Sequence, residues 1–261
     1  MKRQILRLSD GLRVGVLAAG AGPLVLLIHG VGLRAEVWGP QMGRLAATHR
    51  VLAVDLPGHG ESDGLPGVPE LGDYVGWAAG VLAAVGPASV VGHSMGALIA
   101  LGLAVERPDL VQRVALICGV YRRDAAARAA VLARAGEIAA ERGDMAGPLD
   151  RWFGADEAGL RGQVAGWLGA VSQAGYSAAY GAFARGDAVY AGRLDRVRCA
   201  LLALTGDADA NSTPDMARGM AAAAGGRAVV IAGHRHMVPL TAADQVNAAL
   251  QDWLAMEGAR A

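Results

Sequence analysis

The sequence predicts an α/β fold: a mostly parallel, twisted sheet covered by helices on both faces, with a helical cap inserted after the sixth strand. Three observations point there. Short, wholly apolar runs recur along the chain, Leu24 to Ile28 being the clearest, as strands buried on both faces should. Helical stretches separate these runs, so successive strands lie parallel through helical crossovers. Between about Arg122 and Arg196 the alternation stops. Alanine-rich helical segments there carry most of the large aromatics, and the strand–helix rhythm resumes at Ala200.

In chain order, Gln4 to Leu8 and Leu12 to Ala18 are β-like, and Ser9-Asp10-Gly11 between them signals a hairpin. Gly20-Ala21-Gly22-Pro23 then breaks the chain before Leu24 to Ile28. His29-Gly30-Val31-Gly32 follows that strand, and a helix is expected from about Glu36 to Thr48. Val51 to Val54 is the next buried strand, and Asp55 to Ser62 is a polar loop rich in turn residues. A helix from about Glu70 to Val85 leads to a short strand at Val90-Val91. The helix after it stops near Arg107-Pro108-Asp109, and Val111 to Cys118 is again a strand. Past the insertion come the strand Ala200 to Leu204, a helix from about Pro214, the strand Ala228 to Ala232 and a last helix from about Ala242 to Met256. The expected organisation is a core in two parts, 1–121 and 197–261, with the cap formed by 122–196.

Composition narrows the class. The 261 residues, 53% hydrophobic and 18% charged, suffice for one sizeable core. Lys+Arg and Asp+Glu balance at 24 each, so nothing favours nucleic acid or an anionic membrane surface. Cys118 and Cys199 sit in or beside apolar strand-like runs and read as buried free thiols, not as a disulfide framework. The N-terminus has basic residues but no apolar core of a signal peptide, and no apolar run reaches membrane-spanning length. A cytoplasmic protein acting on a small molecule is expected, as a monomer or a homodimer.

The chemistry centres on Ser89 to Ala100, a short strand, then Gly92-His93-Ser94-Met95-Gly96, then an apolar helix. That is G-x-S-x-G in the strand–turn–helix setting the motif needs. A strand turning straight into a helix strains the central residue, and glycine on either side lets the backbone pass closely. The bland alternative is that Ser94 merely caps the helix. A serine nucleophile needs a base, and the base needs an acid to orient it. Parallel topology brings two later loops to the same sheet edge as Ser94. Thr205 to Asp209 offers Asp207 and Asp209 as acids; Gly233 to Met237 offers His234 and His236 as bases. Spacing alone does not choose within either pair.

With these motifs the chain resembles the α/β-hydrolase fold superfamily over nearly its whole length, least in the cap. The family's G-x-x-D matches Gly206 to Asp209 and implies Asp209 as the acid. Its H-x-x-P-L matches His236 to Leu240 and implies His236 as the base. Asp207 is then a turn residue and His234 a loop residue. The H-G-x run implies that the backbone N–H groups of Val31 and Met95 form an oxyanion hole. His29, and Asp55 and His59 in a loop of the D-x-x-G-H-G-x-S type, are expected to be structural. Thr241 and Ala243 stand where members frequently have Glu and Pro, positions that carry no chemistry. The likeness extends to small bacterial esterases, enol-lactonases and aminoacrylate hydrolases. It implies a cofactor-free serine hydrolase of a small carboxylic ester or lactone, with an amide or carbon–carbon bond as the alternative. Of the cap aromatics, Trp152 and Trp167 are expected at the pocket. Tyr121, Arg122 and Arg123 follow the Cys118 strand near the same edge. Arg123 would suit a substrate carboxylate, although a solvated helix start is the plainer expectation.

Rival classes have less behind them. Gly30 to Ala35 reads G-x-G-x-x-A after a strand, and Asp55 ends the next one, as in a dinucleotide-binding unit. That would leave Gly92 to Gly96, Asp209 and His236 without a role. His234-Arg235-His236 and His59 to Asp63 match no metal-ligand spacing. A non-hydrolytic ligand-binding, lyase or oxygenase member of the same fold is a third possibility, since fold does not fix reaction.

Overall fold

The computed structural model describes residues 1–141, 144 and 147–256. Eight strands form one sheet in the order β1-β2-β4-β3-β5-β6-β7-β8. They are β1 (Lys2–Arg7), β2 (Arg13–Ala19), β3 (Leu24–Ile28), β4 (Arg50–Val54), β5 (Ala88–His93), β6 (Val111–Ile117), β7 (Ala200–Gly206) and β8 (Arg227–Ile231). β1 and β2 are the antiparallel hairpin, and β2 also runs antiparallel to β4. From β4 through β8 every pairing is parallel. The expected mostly parallel α/β sheet is what forms, and its reason is burial: every residue of β3 and of β5 is buried. Strands covered on both faces need helices on both faces.

Those helices are α1 (Gly39–Leu45), α2 (Leu71–Val85), α3 (Met95–Glu106), α4 (Ala125–Ala139), α5 (Leu149–Trp152), α6 (Ala158–Ala170), α7 (Gln173–Gly186), α8 (Pro214–Ala224), α9 (Val238–Thr241) and α10 (Ala243–Ala255). α1 packs on α10, α2 on α3, and α3 and α8 lie against β5 to β8. The helix expected over 36–48 is instead a 3₁₀ turn, Ala35–Trp38, followed by the short α1. Pro40 explains the break, because it has no N–H to bond back into the preceding turn.

Four helices, α4 to α7, lie between β6 and β7. Two have side-chain caps: Asp124 accepts from Ala127 N–H at 2.7 Å, and Ser172 from Gly175 N–H at 3.0 Å. α4 packs on α7, and α7 reaches down to α2 and α3. The backbone of Gly175 in α7 passes so close to Gly58 that a Cβ on either glycine would collide with the other residue's backbone. Among the described residues no helix is long and apolar enough to cross a membrane.

Candidate active site

Ser94 sits between β5 and α3 at φ 55° and ψ −116°, a backbone region that a side chain occupies only under strain. Its neighbours show why the turn is glycine-rich. A Cβ on Gly92 would strike the Gly96 carbonyl oxygen, and one on Gly96 would strike the Ile28 carbonyl oxygen. Ser94 occupies the N-cap position of α3, yet its side chain makes no capping hydrogen bond. The simple capping alternative therefore leaves the hydroxyl unexplained.

The geometry separates the candidate acids and bases that spacing left open. Asp209, after β7, accepts at Oδ2 from His236 Nδ1 at 2.7 Å, and His236 follows β8. Its Oδ1 accepts from the N–H groups of Asn211 at 2.8 Å and Ser212 at 3.1 Å. Burial alone would push the Asp209 carboxyl up. The His236 imidazole, the bond to it and the two N–H donors outweigh this and hold it below the usual carboxylate range. Asp207 instead accepts from Gly233 N–H at 2.8 Å, tying one loop to the next. His234 Nδ1 pairs with Thr241 Oγ1 at 3.0 Å.

His236 and Ser94 border one cavity of about 300 Å³. With Nδ1 committed to Asp209, His236 has Nε2 for a second partner. Trp152 stacks on the imidazole at 5.5 Å between ring centroids. His93 Nε2–H donates to the His236 carbonyl at 3.0 Å, tying the serine turn to the histidine loop. Val31 also borders the cavity, and Met95 opens α3 directly after Ser94. Among the described residues, neither Val31 N–H nor Met95 N–H meets a hydrogen-bond acceptor.

Of the expected substrate contacts, Trp152 and Arg123 border the cavity, while Trp167 and Tyr121 lie outside it. Tyr121 packs toward Gly219 of α8, and Trp167 of α6 is half-buried. Arg123 is not on a solvated helix start. Its side chain is 4% exposed, pairs with Asp187 at 3.4 Å and lies over the Phe183 ring at 4.5 Å. Burial lowers its pKa, and Asp187 opposes that.

Sequence reasoning missed two faces of the cavity. Ala127, Ala130, Val131 and Arg134 of α4 border it at helical spacing, as do Tyr176, Tyr180 and Phe183 of α7, and Arg151 borders it too. That spacing was available in the sequence; which face turns to the site was not.

The dinucleotide alternative fails at Asp55. Its carboxylate is fully buried and taken up by Ala35 N–H at 2.8 Å, Glu61 N–H at 3.0 Å and Arg3 at 2.9 Å. Among the described residues, one trio with metal-ligand spacing occurs: His93, Cys118 and His236, ligand atoms within 4.8 Å of one another. His236 Nδ1 and His93 Nε2 are both engaged in the bonds given above.

Comparison with known proteins identifies the family and the fold. Residues 25–249 match the model of the Alpha/beta hydrolase family. The (E)-2-((N-methylformamido)methylene)succinate hydrolase of Acinetobacter baylyi is 44% identical over 97% of this chain and 98% of its own. Among solved structures, the enol-lactonase of Burkholderia xenovorans superposes with a TM-score of 0.86 at 24% identity, covering 97% of this chain and 100% of its own. An E-2-(acetamidomethylene)succinate hydrolase superposes at 0.78, with 24% identity over 98% of this chain and 100% of its own.

Proposed function

Because the chain belongs to the alpha/beta hydrolase family and is a hydrolytic enzyme, we propose that it cleaves the amide C–N bond of a small N-acylated enamine carrying two carboxylates, through an acyl-enzyme on Ser94. The observation that carries this reading is the charge of the cavity. Arg134 and Arg151 border it beside the Asp187-paired Arg123, and among the described lining residues there is no Asp or Glu. A cavity of that sign suits an anion, and guanidinium groups suit carboxylates in particular. The relative from Acinetobacter baylyi is by its name a hydrolase of a substituted succinate, which carries two carboxylates.

The chemistry proceeds in two halves. Ser94 Oγ attacks the acyl carbonyl while His236 Nε2 takes its proton, and Asp209 keeps the imidazole in the Nδ1–H tautomer and stabilises it once charged. The N–H groups of Val31 and Met95 receive the oxyanion. As the C–N bond breaks, His236 returns the proton to the leaving nitrogen. Water then attacks the acyl-enzyme by the same route and releases the carboxylic acid. Trp152, stacked on His236, shields the imidazole from bulk water, which strengthens each of these interactions.

A second reading, hydrolysis of a small carboxylic ester or lactone on the same three residues, is favoured by the apolar wall of Leu33, Val131, Phe183 and Met216. Kinetics with an N-acyl aminomethylene succinate and with p-nitrophenyl acetate separate the two. The dicarboxylate should have the higher kcat/KM. Arg151→Ala should raise its KM about 10- to 100-fold, the worth of one charge-assisted hydrogen bond. Faster turnover of the neutral ester, undiminished by the Arg151 change, would move the assignment to the second reading.

A further inference from the structure

The loop that carries Val31 is held in an uncommon way. Both peptide planes flanking its Cα are hydrogen-bonded to histidine side chains. On one side, His29 Nδ1–H donates to the Gly30 carbonyl at 2.7 Å, which fixes the plane that contains the Val31 N–H. On the other, His59 Nε2 accepts from Gly32 N–H at 3.0 Å, which fixes the plane that contains the Val31 carbonyl. Each ring is anchored at its remaining nitrogen. His29 Nε2 accepts from Leu56 N–H at 2.9 Å, and His59 Nδ1–H donates to the Pro57 carbonyl at 3.1 Å. These four bonds specify a neutral ring with the proton on Nδ1 in both residues.

The surroundings keep it so. Both rings are buried, 5.5 Å apart between centroids. Burial lowers the pKa of both, that of His59 to about 4. A protonated His59 would set an N–H against the Gly32 N–H and lose the bond. The loop has no slack elsewhere. Gly32 adopts φ 77° beneath Leu168 and Tyr176, and a Cβ on Gly30 would press on Ser94.

We propose that His29 and His59 are positioning residues for the oxyanion hole, each clamping one peptide plane beside Val31 so that its N–H is aimed at the carbonyl that Ser94 attacks. This rests on the serine chemistry proposed above. Neither histidine borders the cavity, so both act through the backbone and not on the substrate. The role has a definite kinetic signature. An aimed N–H matters most when charge develops on the carbonyl oxygen, so misaiming it lowers kcat and spares substrate binding.

The test compares His59→Leu, which cannot accept a hydrogen bond, with His59→Gln, whose side-chain carbonyl can. For a folded His59→Leu, kcat should fall about 10- to 100-fold and KM should stay within about 2-fold, since losing a whole oxyanion donor costs about 100- to 1,000-fold. Affinity for phenylboronic acid, which forms a tetrahedral adduct on a reactive serine, should fall with kcat, while affinity for succinate holds. His59→Gln should recover most of both losses. Should His59→Leu not fold, His59→Met, flexible and of similar size, carries the same comparison. Unchanged kcat in a folded non-accepting variant, or a loss of kcat with boronate affinity intact, overturns the proposal. Ser94→Ala separates the two levels: if it is inactive and the His59 variants are normal, only the positioning role fails. If Ser94→Ala is active, the serine chemistry fails and this role with it.

Discussion

A serine at φ 55° costs on the order of 1–3 kcal/mol of backbone strain, and the turn around Ser94 is built to hold it. Its N–H donates to the Ile117 carbonyl at 2.9 Å, and Gly92 and Gly96 leave the backbone room to pass. The strain exposes the hydroxyl at the cavity instead of burying it as a helix cap. Ser94→Ala and His236→Ala should therefore abolish turnover with melting temperature nearly unchanged. Asp209→Asn is the more telling variant. Its amide N–H₂ would donate to Nδ1, forcing the proton onto Nε2, the nitrogen that must receive the serine proton. A loss of about 10,000-fold in kcat is expected with the fold intact, read by steady-state kinetics beside circular dichroism. A loss below about 10-fold would mean Asp209 does not set the tautomer. Fixed motifs make these three candidates legible in the sequence, although pairing His236 with Asp209 and not Asp207 takes either a family pattern or the 2.7 Å bond. Arg123 borders the cavity as the sequence allows, but its burial is not legible there, because its partner Asp187 lies 64 residues on.

At the scale of elements, the strands were the easiest part to read, since a run buried on both faces is apolar throughout. The helices around the cavity were harder. α4 and α7 each present a face with helical spacing, but the rotation of each helix about its axis is decided by α4–α7 packing and by the Gly58–Gly175 contact. Trp167 of α6 is expected at the pocket with Trp152, yet it lies outside the cavity, while Trp152 ends the four-residue α5 over His236. So short a helix does not hold itself in place. Arg235, next to His236, does it by donating from one guanidinium nitrogen to the carbonyls of Asp150 at 2.8 Å and Phe153 at 2.7 Å. Arg235→Ala should release α5 and let Trp152 leave the imidazole. KM should rise about 3- to 30-fold, the worth of one or two such bonds. Tryptophan fluorescence should report greater exposure to a soluble quencher. Unchanged quenching would show that other contacts hold Trp152.

Over the whole molecule the formal charges cancel, so overall charge does not set the response to pH. Buried imidazoles do. His29, His59 and His93 are each within about 1% of full burial and are held neutral, with pKa values lowered by burial: well below normal for His29, to about 4 for His59 and to about 3 for His93. In the unfolded chain the same groups titrate near pH 6.5. Between those values the unfolded state binds more protons, so stability is complete above about pH 6.5 and drains as pH falls below it. Each histidine adds up to about 1.4 kcal/mol per pH unit to that slope. Asp209, held low, adds to the loss only as pH falls through the usual carboxylate range and below it, whereas Asp55, raised by burial, takes up its proton above that range and opposes the loss there. Urea midpoints should therefore hold steady from about pH 8 to 7 and drop from about pH 6 to 5, where the buried histidines outweigh the single raised carboxyl of Asp55. His59→Gln should make that slope measurably shallower. A midpoint that stayed flat down to about pH 5 would mean that the three rings take up protons without unfolding, and the neutral clamp around Val31 would have to be abandoned with it.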